Sequence, residues 1–155
     1  GRSGAWGIPT ANGMTVSPDR KTLLVSCPLC FEVWRYVLAP DGGLYGPKAK
    51  YVLPYPGDNV EWDEATGQVF IGMIPIPTRH RTSPLPMPME LMALPTASLG
   101  EDGVQTAAAR SLLIHRGTLL SQSSAGLRFG KALLLGSPYH SGLLYCKKSG
   151  GLWAS

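Results

Sequence analysis

The feature that most constrains the fold is an alternation of apolar and polar residues that stops at turn residues and then begins again. The segment MTVSPDRKTLLVS, residues 14–26, predicts two short strands joined by a Ser-Pro-Asp turn. The segment DNVEWDEATGQVFIG, residues 58–72, repeats this unit. A weaker third copy lies in SQSSAGLRFGKALLLGS, residues 121–137, where Gly136 takes the place of Gly72. Helical periodicity is almost absent, so the sequence predicts an all-β fold.

The repeated unit continues into further strands. FEVWRYVLA at residues 31–39 predicts a third strand, and AKYVLPY at residues 49–55 predicts a fourth after a Pro-Asp-Gly-Gly turn. Recurring four-stranded antiparallel units are typical of β-propeller blades. We therefore predict a partial β-propeller of about two to three blades. The predicted blades lie at residues 7–57, 58–110 and 111–148, followed by a flexible tail at 149–155.

The composition excludes several function classes. Hydrophobic residues make up 44% of the 155 residues and charged residues 15%, which favours a folded chain over a disordered one. The net charge of +4 comes from basic residues scattered singly or in short groups, so we do not expect nucleic-acid binding. No apolar run approaches the roughly 18 residues of a membrane span. Residues 1–13 also lack the apolar region of a signal peptide.

A segment rich in Pro and Met occupies residues 73–103, between the second and third copies of the repeat. One interpretation is a long surface connection, because proline cannot donate the backbone hydrogen bonds of an interior strand. The other is a loop over a pocket, where flexible Met side chains adapt to an apolar ligand. Within this segment, MELMALP at residues 89–95 allows a strand of the second blade.

The cysteine count is three, so at least one cysteine is free or pairs outside the chain. Cys27 and Cys30 form a C-x-x-C motif, which could be half of a zinc site or a redox motif. No second pair with suitable spacing follows, and strands rather than a helix flank the motif. We therefore expect two buried or strand-end thiols.

Only two asparagines occur in the chain, and both precede the innermost strand of a predicted blade. Asn12 begins the first unit, and Asp58-Asn59 begins the second. Innermost strands line the channel of a propeller, so side chains at these positions converge on its axis. They could shape turns by hydrogen bonding to backbone amides. Alternatively, a carboxylate with amide oxygens is a donor set that calcium prefers.

Three segments together resemble the serum paraoxonase/arylesterase family. They are TANGMTVSPDRKTLLVS, DNVEWDEATGQVFIG and GKALLLGSPYHSGLLYC, and the resemblance covers roughly residues 7 to 147. It implies the C-terminal portion of a six-bladed β-propeller with two calcium ions in its channel. It also implies hydrolysis of aryl esters and lactones, in a secreted protein that associates with lipoprotein or membrane surfaces. No part of this sequence matches the family's N-terminal blades, so the resemblance implies that those blades lie outside these residues.

The resemblance also implies roles for particular residues. By position, Asn12, Asp58 and Asn59 match three protein ligands of the catalytic calcium, which polarises the ester oxygen. Ser124 matches a threonine that lines the substrate pocket. Cys146 matches a C-terminal cysteine that forms a disulfide with one near the N-terminus, whose counterpart is absent from this chain. The remaining calcium ligands and the histidines proposed to activate water also have no counterpart here.

The chain contains three histidines, His80, His115 and His140, and we assign the catalytic base to none of them. His80 and His115 are expected to be solvated, and His140 matches a family histidine without a transferable role.

The sequence leaves two functions open. The first is a calcium-dependent hydrolase of small ester and lactone substrates. The alternative is a truncated or diverged propeller fragment that acts as a non-catalytic binding or structural module.

Overall fold

A computed structural model of the chain describes residues 7–75, 86–100, 102–149 and 152–154, the last three and Ser149 as backbone only. These residues form strands connected by turns and two short 3-10 helices, Pro28–Cys30 and Thr96–Leu99. The strands are β1 Met14–Val16, β2 Thr22–Cys27, β3 Glu32–Leu38, β4 Leu44–Val52, β5 Gly57–Asp63, β6 Gln68–Met73, β7 Met89–Pro95, β8 Gly103–Thr106, β9 Arg110–His115, β10 Ala125–Phe129, β11 Ala132–Gly136, β12 Leu144–Ser149 and β13 Leu152–Ala154.

The strands form three sheets, which confirms the all-β fold and is consistent with a partial propeller. The first sheet has the order β1-β2-β3-β4-β8, the second β5-β6-β7-β9, and the third β10-β11-β12-β13. Neighbouring strands are antiparallel except β4 and β8, which are parallel. The strand pairing follows the sequence repeat, since Met14 pairs with Val25 and the aligned Val60 pairs with Ile71.

The observed sheets differ from the predicted blade limits in three places. β9 belongs to the second sheet, although most of its residues were assigned to the third blade. β8 joins the first sheet as a fifth strand. The tail expected at residues 149–155 instead contributes β13, which pairs with β12. β8, β9 and β13 are each the edge strand of their sheet, where the apolar pattern does not specify which strand is the neighbour.

Two apolar cores lie between the sheets, because alternate side chains of each strand point to opposite faces. The core between the first and second sheets includes Leu24, Val33, Tyr51, Ile71 and Met73. The core between the second and third sheets includes Phe70, Leu91, Leu133, Leu135 and Cys146. A third cluster, with Val25, Trp34 and Tyr36, covers the other face of the first sheet.

The cysteines correct one expectation. Cys27 and Cys30 form a disulfide rather than two thiols. β2 ends at Cys27, and the following 3-10 turn brings the two Cα atoms to 5.2 Å, within the range that a disulfide requires. Cys146 is free and buried in this structure, and burial raises the pKa of its thiol. The bond to an N-terminal cysteine that the resemblance implies stays a prediction.

None of the described residues belongs to a helix long and apolar enough to cross a membrane. Within the Pro- and Met-rich segment, the structure describes residues 73–75, 86–100 and 102–103. Within it, Met89–Pro95 forms β7, the strand that the sequence allowed. His80 and the rest of the predicted loop at residues 76–85 lie outside the described residues.

Candidate functional site

The segments before β1 and β10 and the first residues of β5 lie at the same end of the sheets and are held by backbone hydrogen bonds. Asn12 N donates to Ser26 O at 3.1 Å, and Ser124 N donates to Gly136 O at 3.0 Å. Asn59 N donates to Ser124 O at 2.9 Å, which joins the second sheet to the third. The start of each innermost strand is therefore fixed against the end of a second strand or against the next innermost strand.

Asn12 and Asp58 meet across the boundary between the first two sheets. Asn12 Nδ2 donates a hydrogen bond of 2.5 Å to Asp58 Oδ1. Asn12 is exposed and Asp58 is half-buried, so the pair faces solvent at the end of the sheets. The structure therefore brings together the two residues that the repeat had placed at equivalent positions.

Asn59 packs against the residue that follows Asn12. A Cβ atom added to Gly13 would lie 2.5 Å from Asn59 Cα and 2.9 Å from Asn59 Oδ1. Only glycine allows this approach, because the two backbones are in direct contact there. The amide oxygen of Asn59 thus lies beside the segment that carries Asn12, and the three predicted ligands share one small region.

The chemistry of these side chains fits a hard cation. One carboxylate and two amides offer oxygen donors, and rotation of the Asn12 side chain can direct its oxygen to the position that Nδ2 now takes. Calcium takes about six to eight oxygens, so three side chains form part of a coordination sphere. Across the described ranges, no three His, Cys, Asp or Glu side chains form a metal-binding group.

An apolar groove of about 210 Å³ begins beside Asn59. Its walls come from β5, β10 and the β11–β12 region, and include Val60, Leu127, Leu134 and Leu143. Ser124 precedes this groove in sequence but is not one of its lining residues. The Ser124 side chain is half-buried, and its backbone joins the third sheet to the second. An apolar group beside the Asn59 amide would therefore fit this end of the molecule.

The two histidines that the structure describes, His115 and His140, are distant in sequence from Asn12, Asp58 and Asn59. His115 ends β9, is half-buried, and accepts a hydrogen bond of 3.1 Å from Gly117 N at its Nδ1 atom. His140 is exposed in the turn between β11 and β12. His115 was expected to be solvated, but it is half-buried and its Nδ1 atom accepts a hydrogen bond from the turn at Gly117.

Sequence reasoning missed Ser26, which lies directly beneath the three predicted ligands. Ser26 is fully buried, and its Oγ atom donates a hydrogen bond to the carbonyl oxygen of Asp58. The same atom lies 3.3 Å from Gly13 O. A signal was available in the repeat, where Ser26 aligns with Gly72 and Gly136. A serine that replaces a recurring glycine has a side chain that must find room and a partner.

Comparison with known proteins places these observations in a family. The model of the arylesterase family matches residues 2–148. This range includes all the proposed ligands as well as Ser124 and Cys146. Comparison with curated proteins gave no match.

Proposed function

The chain belongs to the arylesterase family, and we propose that it contributes one side of a calcium centre for the hydrolysis of aryl esters and lactones. Family membership supports a hydrolase of aryl esters. The contact between Asn12 and Asp58 is the observation that carries the finer proposal. It joins a carboxylate and an amide from neighbouring sheets at the position that the family resemblance assigns to calcium.

Three residues of the chain would hold the ion. Asp58 supplies negative charge, and Asn12 and Asn59 supply neutral oxygens from either side of the sheet boundary. Calcium, when bound, supplies a Lewis acid for an ester carbonyl oxygen. The groove beside Asn59 takes the apolar part of the ester and excludes water from it. Ser124 lies on the backbone link to the third sheet and orients the start of β10. We assign no general base to this chain.

We also propose an extracellular setting, with small esters or lactones as substrates and a lipoprotein or membrane surface as a partner of the whole protein. The Cys27–Cys30 disulfide supports the extracellular setting, since disulfides persist in oxidising compartments. The surface partner rests on the family resemblance alone.

The test of the calcium proposal removes one charge without changing shape. We expect Asp58→Asn to weaken calcium binding on the order of 100-fold, because affinity at such sites follows the number of charged ligands. Isothermal titration with calcium measures this, and turnover of phenyl acetate follows in the same samples. Asp19→Asn is the matched control. Asp19 is an exposed carboxylate that accepts hydrogen bonds from Ser17 and from the Lys21 backbone, away from the cluster.

Unchanged calcium affinity and unchanged turnover in Asp58→Asn would contradict the proposal. Equal losses in both variants would indicate a general effect of charge rather than ligation.

A second candidate function is a non-catalytic binding or structural module that binds no metal. It is favoured by the number of donors, since three side chains supply about half of the oxygens that calcium takes. It predicts no turnover by the 155-residue chain and no rise of its melting temperature with calcium. A calcium-dependent rise in melting temperature that disappears in Asp58→Asn would exclude it.

A further inference from the structure

One position of the repeat lies at the end of the second strand in each sheet. Ser26 and Gly72 are the last residues but one of β2 and β6, and Gly136 is the last residue of β11. In the second sheet this place is closed by backbone, because a Cβ atom on Gly72 would lie 2.4 Å from Ser124 O. In the first sheet the equivalent neighbour is Asp58, and the side chain of Ser26 occupies the space between the two backbones.

Ser26 contacts both segments that carry the proposed ligands. Its backbone N donates to Gly13 O at 2.9 Å, and its carbonyl O accepts from Asn12 N at 3.1 Å. Its Oγ atom donates to the carbonyl oxygen of Asp58. One buried residue therefore ties the start of β1 to the start of β5. Together with the close approach of Gly13 and Asn59, this bond holds the two segments where the Asn12 and Asp58 side chains meet at 2.5 Å.

We propose that Ser26 is a positioning residue that sets the distance between Asn12 and Asp58 and thereby the affinity of this site for a divalent cation. The cation part rests on the proposed function, whereas the positioning part does not. A hydroxyl suits the place because it donates to the part-buried carbonyl of Asp58, which would otherwise lose that partner. The Ser26 hydroxyl bonds to the carbonyl oxygen of Asp58, so it acts on that residue through the backbone.

The positioning role can be tested by NMR of the asparagine side chains, because the chain contains only two asparagines. Labelling with ¹⁵N-asparagine gives signals from only two side-chain amides, those of Asn12 and Asn59. In the cation-free protein, the hydrogen bond to Asp58 should shift the Asn12 amide protons downfield and slow their exchange. We expect Ser26→Ala to move that signal toward the position of an exposed amide. Calcium affinity, measured by titration, should fall by about 3- to 10-fold, the effect of one lost hydrogen bond.

Ser123→Ala is the matched control, and Ser26→Gly is the second variant. Ser123 is also a fully buried serine at the start of a sheet, but its Oγ atom bonds to Ala125 O rather than to a ligand segment. We expect its variant to change stability without changing the Asn12 signal or the calcium affinity. Ser26→Gly introduces the residue that the other repeats carry, so it keeps the backbone shape and should reproduce Ser26→Ala.

The results separate the two proposals. An unchanged Asn12 signal in both Ser26 variants overturns the positioning role. A shifted signal with unchanged calcium affinity overturns the link to the cation site. A shifted signal in a protein whose wild type binds no calcium supports the positioning role and overturns the proposed calcium function.

Discussion

Glu90 is an acidic side chain held where a carboxylate is poorly solvated. It lies on β7 with 4% of its surface exposed, and its strand neighbours are Met73 and Ile114. Burial raises the pKa of this carboxyl, and a hydrogen bond with Ser111 offsets part of that rise. A carboxyl whose pKa is higher in the folded state favours folding most when it is protonated. Its contribution to stability is therefore complete below the unfolded pKa and is lost as the pH rises through the folded pKa.

We therefore expect Glu90→Gln to be more stable than the wild type at pH 7, with a smaller difference at pH 3.5. Glutamine keeps the shape and can still bond to Ser111, but it carries no charge to bury. Thermal unfolding at the two pH values measures the difference. Glu64→Gln, at an exposed position in the β5–β6 turn, is the control and should change little at either pH. Equal changes for Glu90→Gln at both pH values would show that charge burial is not the cause.

At this scale the sequence could predict Asn12, Asp58 and Asn59 as a group, because the repeat places them at equivalent positions and asparagine is rare in the chain. It could not predict the burial of Glu90, since its neighbours come from β6 and β9. Ser26 could have been found from the repeat, but its partner at Asp58 depends on how two sheets approach each other.

The strand ends show how closely neighbouring sheets approach. Gly72 near the end of β6 lies against the backbone of Ser124, and a Cβ atom there would be 2.4 Å from the carbonyl oxygen. At the aligned position in the third sheet, Gly136, the nearest atom to such a Cβ is Leu143 Cδ2 at 3.8 Å. The two glycines therefore have the same place in the repeat and different surroundings.

We expect Gly72→Ala to destabilise the protein by about 2–3 kcal/mol, because a backbone carbonyl cannot move aside as a side chain can. Gly136→Ala should change stability by less than about 0.5 kcal/mol, since its contact is ordinary. Neither residue has a positive φ angle, so the comparison isolates packing. Urea unfolding gives both values. Similar losses of stability in the two variants would show that alanine is unfavourable at both strand ends for a reason other than the contact with Ser124.

Most elements could be predicted, because alternation marks β1 to β6 and the β10–β11 hairpin, whereas β7 was only allowed as a strand within the Pro- and Met-rich segment. The sequence does not specify the partners of β8, β9 and β13. These strands pair at sheet edges, where backbone hydrogen bonds rather than an apolar pattern decide the neighbour. The Cys27–Cys30 bond was missed because the short 3-10 turn that brings the two residues together has no distinct sequence pattern.

In the whole molecule, the three sheets are joined by two separate interfaces. Leu24 belongs to the core between the first and second sheets, and Leu133 to the core between the second and third. An ion pair supports the second interface, where Arg128 Nε lies 3.0 Å from Asp63 Oδ2. In arrays of this kind each unit is stabilised chiefly by its neighbours, so opening can begin at one interface while the other stays closed.

This arrangement predicts where each core substitution acts. Leu133→Ala should cost about 2–5 kcal/mol, because it leaves a cavity at a fully buried position. We expect hydrogen exchange to accelerate in β10 to β12 while amides of β2 and β3 keep their protection. Leu24→Ala, equally buried, should give the reverse pattern and expose the first sheet. Acceleration spread evenly over all sheets in both variants would show that the described residues unfold as one cooperative unit, so that neither interface opens alone.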